Sequence, residues 1–272
     1  MKGKRKAGLG LCVLVGAFLG MLCACASSSD EAGLREGVAL AREHRVIRIP
    51  LEGDITRRSA EISGLAWYGM DLVLLPQFPS RFSFSDDGAL FVLSREDILA
   101  YLAGDRDGSL RPRKVPLVAP GLENRIAGFE GYEAIAFHEG RVFLTVEAGL
   151  GREMMGYLVS GKVADQGKAI VLDPESLVSI PPKADLANMS DEALVVNGER
   201  VLTFYEANGL EVNPDPRAHV YSLADGSLGT IPFPRLEYRI TDATSADGMG
   251  RFWVANFFFW GVRSKLRPRP DP

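Results

Sequence analysis

The sequence predicts an all-β protein, a β-propeller of four-stranded blades whose last visible blade is incomplete. Three observations predict it. Apolar residues alternate at period two through most of the chain, long helical periodicity is nearly absent, and one hairpin pattern of fifteen positions occurs four times. A β-sandwich could use the same strands, but it does not explain why the same polar positions return in each hairpin.

The four segments are Ser63-Gly64-Leu65-Ala66-Trp67 leading to Leu74-Leu75-Pro76-Gln77, Glu133-Ala134-Ile135-Ala136-Phe137 leading to Leu144-Thr145-Val146-Glu147, Glu192-Ala193-Leu194-Val195-Val196 leading to Thr203-Phe204-Tyr205-Glu206, and Asp242-Ala243-Thr244-Ser245-Ala246 leading to Trp253-Val254-Ala255-Asn256. Each is a strand, a Gly-containing turn and a returning strand, which is what a β-hairpin requires. They recur at intervals of 70, 59 and 50 residues. Further strand-like pieces lie between them, at Leu90–Ser94, Gly156–Val163, Ala169–Leu172, His219–Leu223 and Gly229–Phe233. Two inner and two outer strands per repeat make one propeller blade. The one short helix is expected around Glu96–Leu102.

At the N-terminus, Lys2, Lys4, Arg5 and Lys6 precede an uncharged run from Ala7 to Ala24, the layout of a signal peptide. Leu22-Cys23-Ala24-Cys25 resembles the lipobox of bacterial lipoproteins, which implies cleavage before Cys25 and acylation, such as palmitoylation, of that cysteine. An ordinary cleaved signal and a retained anchor are the alternatives. The expected organisation is therefore a signal peptide at 1–24, a lipidated cysteine and polar tether at 25–45, and a propeller domain at 46–272, with the chain held on the outer side of the cytoplasmic membrane or in the outer membrane.

All three cysteines, Cys12, Cys23 and Cys25, lie in the leader or at its cut, so the domain stands without disulfides. Removing residues 1–24 takes away four basic and no acidic side chains, and the net charge moves from −4 to −8. That balance excludes nucleic acid, and it counts against anionic lipid recognised by a basic surface.

After Phe257–Trp260 only a Pro- and Arg-rich tail remains, so the fourth blade lacks two strands. Either the early strand Val46–Leu51 helps to close the ring or the chain is shorter than its fold, and the second is expected because half-built blades expose strand edges. The aromatic run itself reads as buried inner-strand packing, with a ligand platform as the alternative.

The first and fifteenth repeat positions fall at the open end of each hairpin, so Ser63, Gln77, Glu133, Glu147, Glu192, Glu206, Asp242 and Asn256 should gather at one rim of the central channel. Converging carboxylates persist only if protonated, paired or bound to a cation. Two readings follow. In one, Glu133, Glu192 and Asp242, from one repeat position in three blades, hold a hard cation such as calcium. In the other, the acids cap hairpin ends and pair with arginines such as Arg125, Arg217 and Arg239. The loop Asn208–Arg217 could extend the rim with its acids.

Other motifs carry little. Gly156–Lys162 has phosphate-loop spacing, but Val163 stands where Ser or Thr should bind magnesium. His44, His138 and His219 fit no metal spacing, and His138 reads as a solvent-facing hairpin residue.

Ile62–Trp67 with Leu74–Gln77, Gly131–Ala136 and Tyr238–Ala243 resemble the phytase-like propeller family, described as having esterase-like activity of phytase, over roughly residues 55–265. The resemblance implies a propeller and hydrolysis of phosphate or carboxylate esters. A small-molecule ester acted on with calcium is one expectation, and a non-catalytic envelope lipoprotein that binds a ligand or partner protein is the other.

Overall fold

A computed structural model describes residues 46–83, 87–151 and 153–269. The leader, Cys25 and the tether, together with His44, lie outside the described residues. The domain is a compact unit from Arg48 to Pro272.

The fold is a β-propeller. Blade 1 is β1 (Ile62–Tyr68), β2 (Asp71–Pro76), β3 (Gly88–Ser94) and β4 (Arg113–Val118), with helix α1 (Arg95–Ala103) before β4. Blade 2 is β5 (Phe129–His138), β6 (Arg141–Leu150), β7 (Glu153–Ala164) and β8 (Ala169–Ile180). Blade 3 is β9 (Asp191–Asn197), β10 (Arg200–Tyr205), β11 (Arg217–Ser222) and β12 (Leu228–Pro232), and blade 4 has β13 (Arg239–Ala243) and β14 (Val254–Phe257). Within each blade neighbouring strands are antiparallel and sequential. The innermost strands β1, β5, β9 and β13 each touch the next, and β13 touches β1, so four strands surround one axis. At the periphery β4 and β8 pair in parallel, Leu117 with Ile170 and Val118 with Val171, which joins blades 1 and 2 into one eight-stranded sheet.

Alternating faces bury alternating residues. Val142, Leu144 and Val146 of β6 pack toward blade 1 with Val73, Leu75 and Leu90, while Phe143 packs toward blade 3 with Leu194 and Val201. Blade 3 meets blade 4 through Ala193, Val195, Phe204 and Ile240. Emptying one of these interblade sites, as in Phe143→Ala, costs about 3–5 kcal/mol. Gly64 is required by proximity, since a Cβ there would lie 3.2 Å from the Ile135 nitrogen and 3.3 Å from the Ala134 Cα.

The early strand does not close the ring. Leu51 makes a parallel bridge to Leu110, with Glu52 N donating to Leu110 O at 2.9 Å and Leu110 N donating to Pro50 O at 2.8 Å. Ile49 and Leu51 thus join Ile55, Ala60, Phe82 and Phe91 in sealing the far face of blade 1. Helix α1 starts where expected, with Ser94 Oγ accepting from the Asp97 amide at 3.0 Å and Gly104 ending it in the left-handed region at φ 83°. Among the described residues no helix is long and apolar enough to cross a membrane.

Candidate functional site

Every inner hairpin carries a β-bulge at its open end. The unpaired extra residue is Ser63 between Ile62 and Gly64, Glu133 between Tyr132 and Ala134, and Glu192 between Asp191 and Ala193. In blade 4 it is Thr241, between Ile240 and Asp242. Bulges re-aim side chains, and in blades 1 to 3 the residues they free are Ser63, Glu133 and Glu192, whose side chains bond across blades.

Asp242 therefore is not the equivalent of Glu133 and Glu192. It pairs with Ala255, the register position of Ala134 opposite Thr145 and of Ala193 opposite Phe204. The blade 4 hairpin is two residues longer between these positions, and its turn closes through Asp247 N donating to Arg251 O at 2.8 Å. A gapless superposition spreads that difference as one residue at each end. One residue along a strand is a change of face. Asp242 consequently joins the wall of the channel, accepting from the backbone N–H groups of Ala243 and Leu65. Asn256 is exposed and pairs opposite Ile240.

The remaining rim acids come together around a cation of the chain itself. The guanidinium of Arg239 lies between Glu192 and Glu206 and pairs with both. Glu206 also accepts from the Ser190 amide at 3.2 Å. Gln77 Nε2 donates to Glu133 Oε1 at 2.9 Å, and Ser63 Oγ donates to Tyr132 O at 2.7 Å. Arg125 and Arg217 pair elsewhere, with Glu175 and Asp215. Among the described residues no three His, Cys, Asp or Glu side chains stand close enough to share one metal ion. Arg239 thus holds Glu192 and Glu206, Gln77 holds Glu133, and the buried Glu147 Oε1 has no hydrogen-bond partner among the described residues.

Burial dominates the electrostatics. It pushes Glu133 well above the usual carboxylate range, and the charges of Glu192 and Glu147 push it further, against Gln77 and Arg239. Glu206 is raised likewise by burial and by Glu192, with Arg239 opposing. Glu147 is pushed up to about 7, by burial first and then by Glu192 and Glu130. Asp242 is pushed up to about 6 by burial, against its two backbone donors.

Below the rim the axis opens into a cavity of about 480 Å³. All four inner hairpins line it: Leu65 and Trp67 from blade 1, Ile135 and Phe137 from blade 2, Leu194 and Val196 from blade 3, and Asp242, Thr244, Ser245 and Trp253 from blade 4. No lysine or arginine is among the lining residues.

Sequence reasoning missed one polar cluster. Thr203 Oγ1 donates to Asp191 Oδ1 at 2.8 Å, and His219 Nδ1 lies 3.3 Å from the same oxygen, all three side chains buried. Thr203 and His219 alternate with residues that pack on blade 4, as Thr145 and Glu147 alternate with residues that pack on blade 1, so these groups occupy the interface of blades 2 and 3. His138 is half-buried at the end of β5, 4.0 Å from Glu139. The loop Asn208–Arg217 does not extend the rim: Asn208 and Asn213 are buried and bonded to each other at 3.3 Å, and Glu211 pairs with Arg269. The aromatic run is not buried packing either, since Phe257, Phe259 and Trp260 are 49%, 51% and 68% exposed.

No family model matches this chain, and no curated protein matches it. Among solved structures it is similar to a Bombyx mori GH32 beta-fructofuranosidase mutant in complex with sucrose, at 13% identity and a TM-score of 0.36 over 72% of this chain. This chain matches 39% of the length of that enzyme.

Proposed function

We propose that the protein hydrolyses carboxylate esters, with the apolar part of the substrate in the axial channel and Asp242 as general base. The observation that carries the reading is a largely apolar cavity with one carboxyl poised near neutrality on its wall. The Ala243 and Leu65 amides hold that carboxyl in place. As a carboxylate it takes a proton from water, the hydroxide oxygen attacks the ester carbonyl, and the departing alkoxide takes the proton back. Phosphate esters fit less well, because the channel offers them a carboxylate and no cation. No step runs through calcium. The phytase-like resemblance agrees with ester hydrolysis as a class. The same proposal keeps the domain at an envelope surface through acylated Cys25, which palmitate labelling lost in Cys25→Ala tests.

The decisive assay is hydrolysis of p-nitrophenyl acetate, butyrate and octanoate against p-nitrophenyl phosphate, with and without EDTA. Turnover should rise with acyl length, persist in EDTA and fall at least about 100-fold in Asp242→Asn. Turnover of the phosphate ester alone, or activity equal in Asp242→Asn, would sink the reading. A second reading, a propeller that binds a ligand without turning it over, is favoured by the two amides that already occupy Asp242. It predicts that an apolar ligand quenches tryptophan fluorescence equally in parent and Asp242→Asn while no ester is cleaved.

A further inference from the structure

We propose that the stretch from Phe257 to Arg269 is a docking surface for an anionic bilayer, and that the cleft between Arg263 and Arg267 receives a phosphate headgroup. The overall negative charge conceals a local concentration of the opposite sign. From Gly248 to Arg269 the chain has five basic residues and no acidic one, in a protein of net charge −4. Within that stretch, the ion pairs among the described residues are Arg251 with Asp247 and Arg269 with Glu211. Arg263 and Arg267 carry no carboxylate partner among the described residues.

These two guanidiniums face a common space. A cleft of about 540 Å³ is lined by Trp260, Arg263, Ser264, Arg267 and Pro268. The Arg263 guanidinium carbon lies 4.7 Å from the Trp260 ring centroid, which holds the side chain over the ring and leaves its N–H edge for an acceptor. Arg267 donates to the Glu211 carbonyl at 3.2 Å. The backbone here is pinned, because helix α2 (Arg263–Leu266) buries Leu266 against Met189, Tyr205 and Ala207. Lys265 adds a bond to the Ala187 carbonyl at 2.6 Å.

The aromatic half of the surface selects the partner. Phe257, Phe259 and Trp260 stand exposed beside the arginines, and Phe258 packs at a tilt against Tyr238 and meets Trp260 edge-on. A soluble phosphate would use the arginines and leave the exposed rings in water. A phospholipid surface uses both, since aromatic rings settle at the headgroup level while cations meet the anionic layer. Charge complementarity therefore favours a bilayer over a free anion, and this contact is independent of the ester chemistry proposed for the channel.

The test uses residues 48–272, the unit that holds every buried cluster described above. Sedimentation with vesicles of roughly one-third phosphatidylglycerol in phosphatidylcholine should retain the protein, and pure phosphatidylcholine should not. Arg263→Glu with Arg267→Glu should weaken retention at least about thirty-fold, as expected for two lost basic contacts. Arg251→Glu, elsewhere in the stretch, should leave it unchanged. Should charge reversal unfold the domain by circular dichroism, Arg263→Gln with Arg267→Gln reads the same loss. Equal binding to both vesicle types, or unchanged retention in the paired variant, would overturn the proposal. Release by on the order of 10 mM inorganic phosphate at constant ionic strength would also overturn it, by assigning the cleft to a soluble anion.

Discussion

Replacing Glu147 by Gln should stabilise the protein, by an amount that grows as pH rises above about 4.5 and levels off above about 7. The folded carboxyl is poised at about 7 against an ordinary 4.5, a displacement worth about 3 kcal/mol at 1.36 kcal/mol per unit. The group is 4% exposed, so solvent screening takes little from that figure. The folded state holds the proton more tightly than the unfolded state does, so stability declines as pH rises from about 4.5 and the full cost is present above about 7. Glutamine has nearly the same shape and never ionises. Urea unfolding at pH 5, 6, 7 and 8 should give nearly coincident midpoints for parent and variant at pH 5. At pH 8 the variant midpoint should lie higher by about 1 M, given a slope of about 2–3 kcal/mol per molar for a domain of this size. A gap that stays constant across the range, or a variant less stable at pH 8, would refute the account of burial and neighbouring charge at the rim.

Three further outcomes follow from the same geometry. Arg239→Met strands Glu192 and Glu206 without their cation and should cost about 3–5 kcal/mol at pH 7. The cost should shrink toward pH 5 as those carboxyls protonate, and calcium should raise the melting temperature of this variant but not of the parent; a loss equal at pH 5 and pH 8 would count against it. Asp191→Ala removes the acceptor of Thr203 and the partner of His219 and should cost about 2–3 kcal/mol in urea unfolding, with a loss under about 0.5 kcal/mol as the contrary result. Gly64→Val puts branched carbon against the β5 backbone and should cost about 1–3 kcal/mol, measured by thermal unfolding, because backbone on that side cannot rotate away.

Much of this was legible before any coordinates. Period-two alternation and the recurring hairpin identify the blades, because a strand buried on both faces must repeat its pattern wherever the packing repeats. The bulge residues Glu133 and Glu192 were visible as polar breaks at the start of apolar strands. Asp242 was misplaced because a gapless match cannot register the longer turn through Asp247 and Gly250, and one position along a strand exchanges rim for channel. That Arg239 pairs with rim acids was one expectation of the sequence, but which acids it takes was not legible: its pairing with Glu192 and Glu206 spans 47 and 33 residues, and that of His219 with Asp191 spans 28. No local spacing announces such pairs, which depend on how blades stack. The exposure of Phe257–Trp260 was illegible for a related reason. Hydrophobicity says that a residue would benefit from burial, but only the neighbouring element decides whether it is covered.

The parallel pairing of β4 with β8 has a consequence for how the molecule opens. It ties residues more than fifty positions apart at the outer edge, so blades 1 and 2 cannot separate without breaking a sheet as well as a core. β12 has a neighbour on one side only and is exposed along its whole length. Amide protons of β5, β6 and β7 should therefore exchange last, through global opening, and those of β12 and β14 first, through fraying. A protease would cut first near Asp225–Ser227, and the two-blade half would be the last part of the molecule to survive intact.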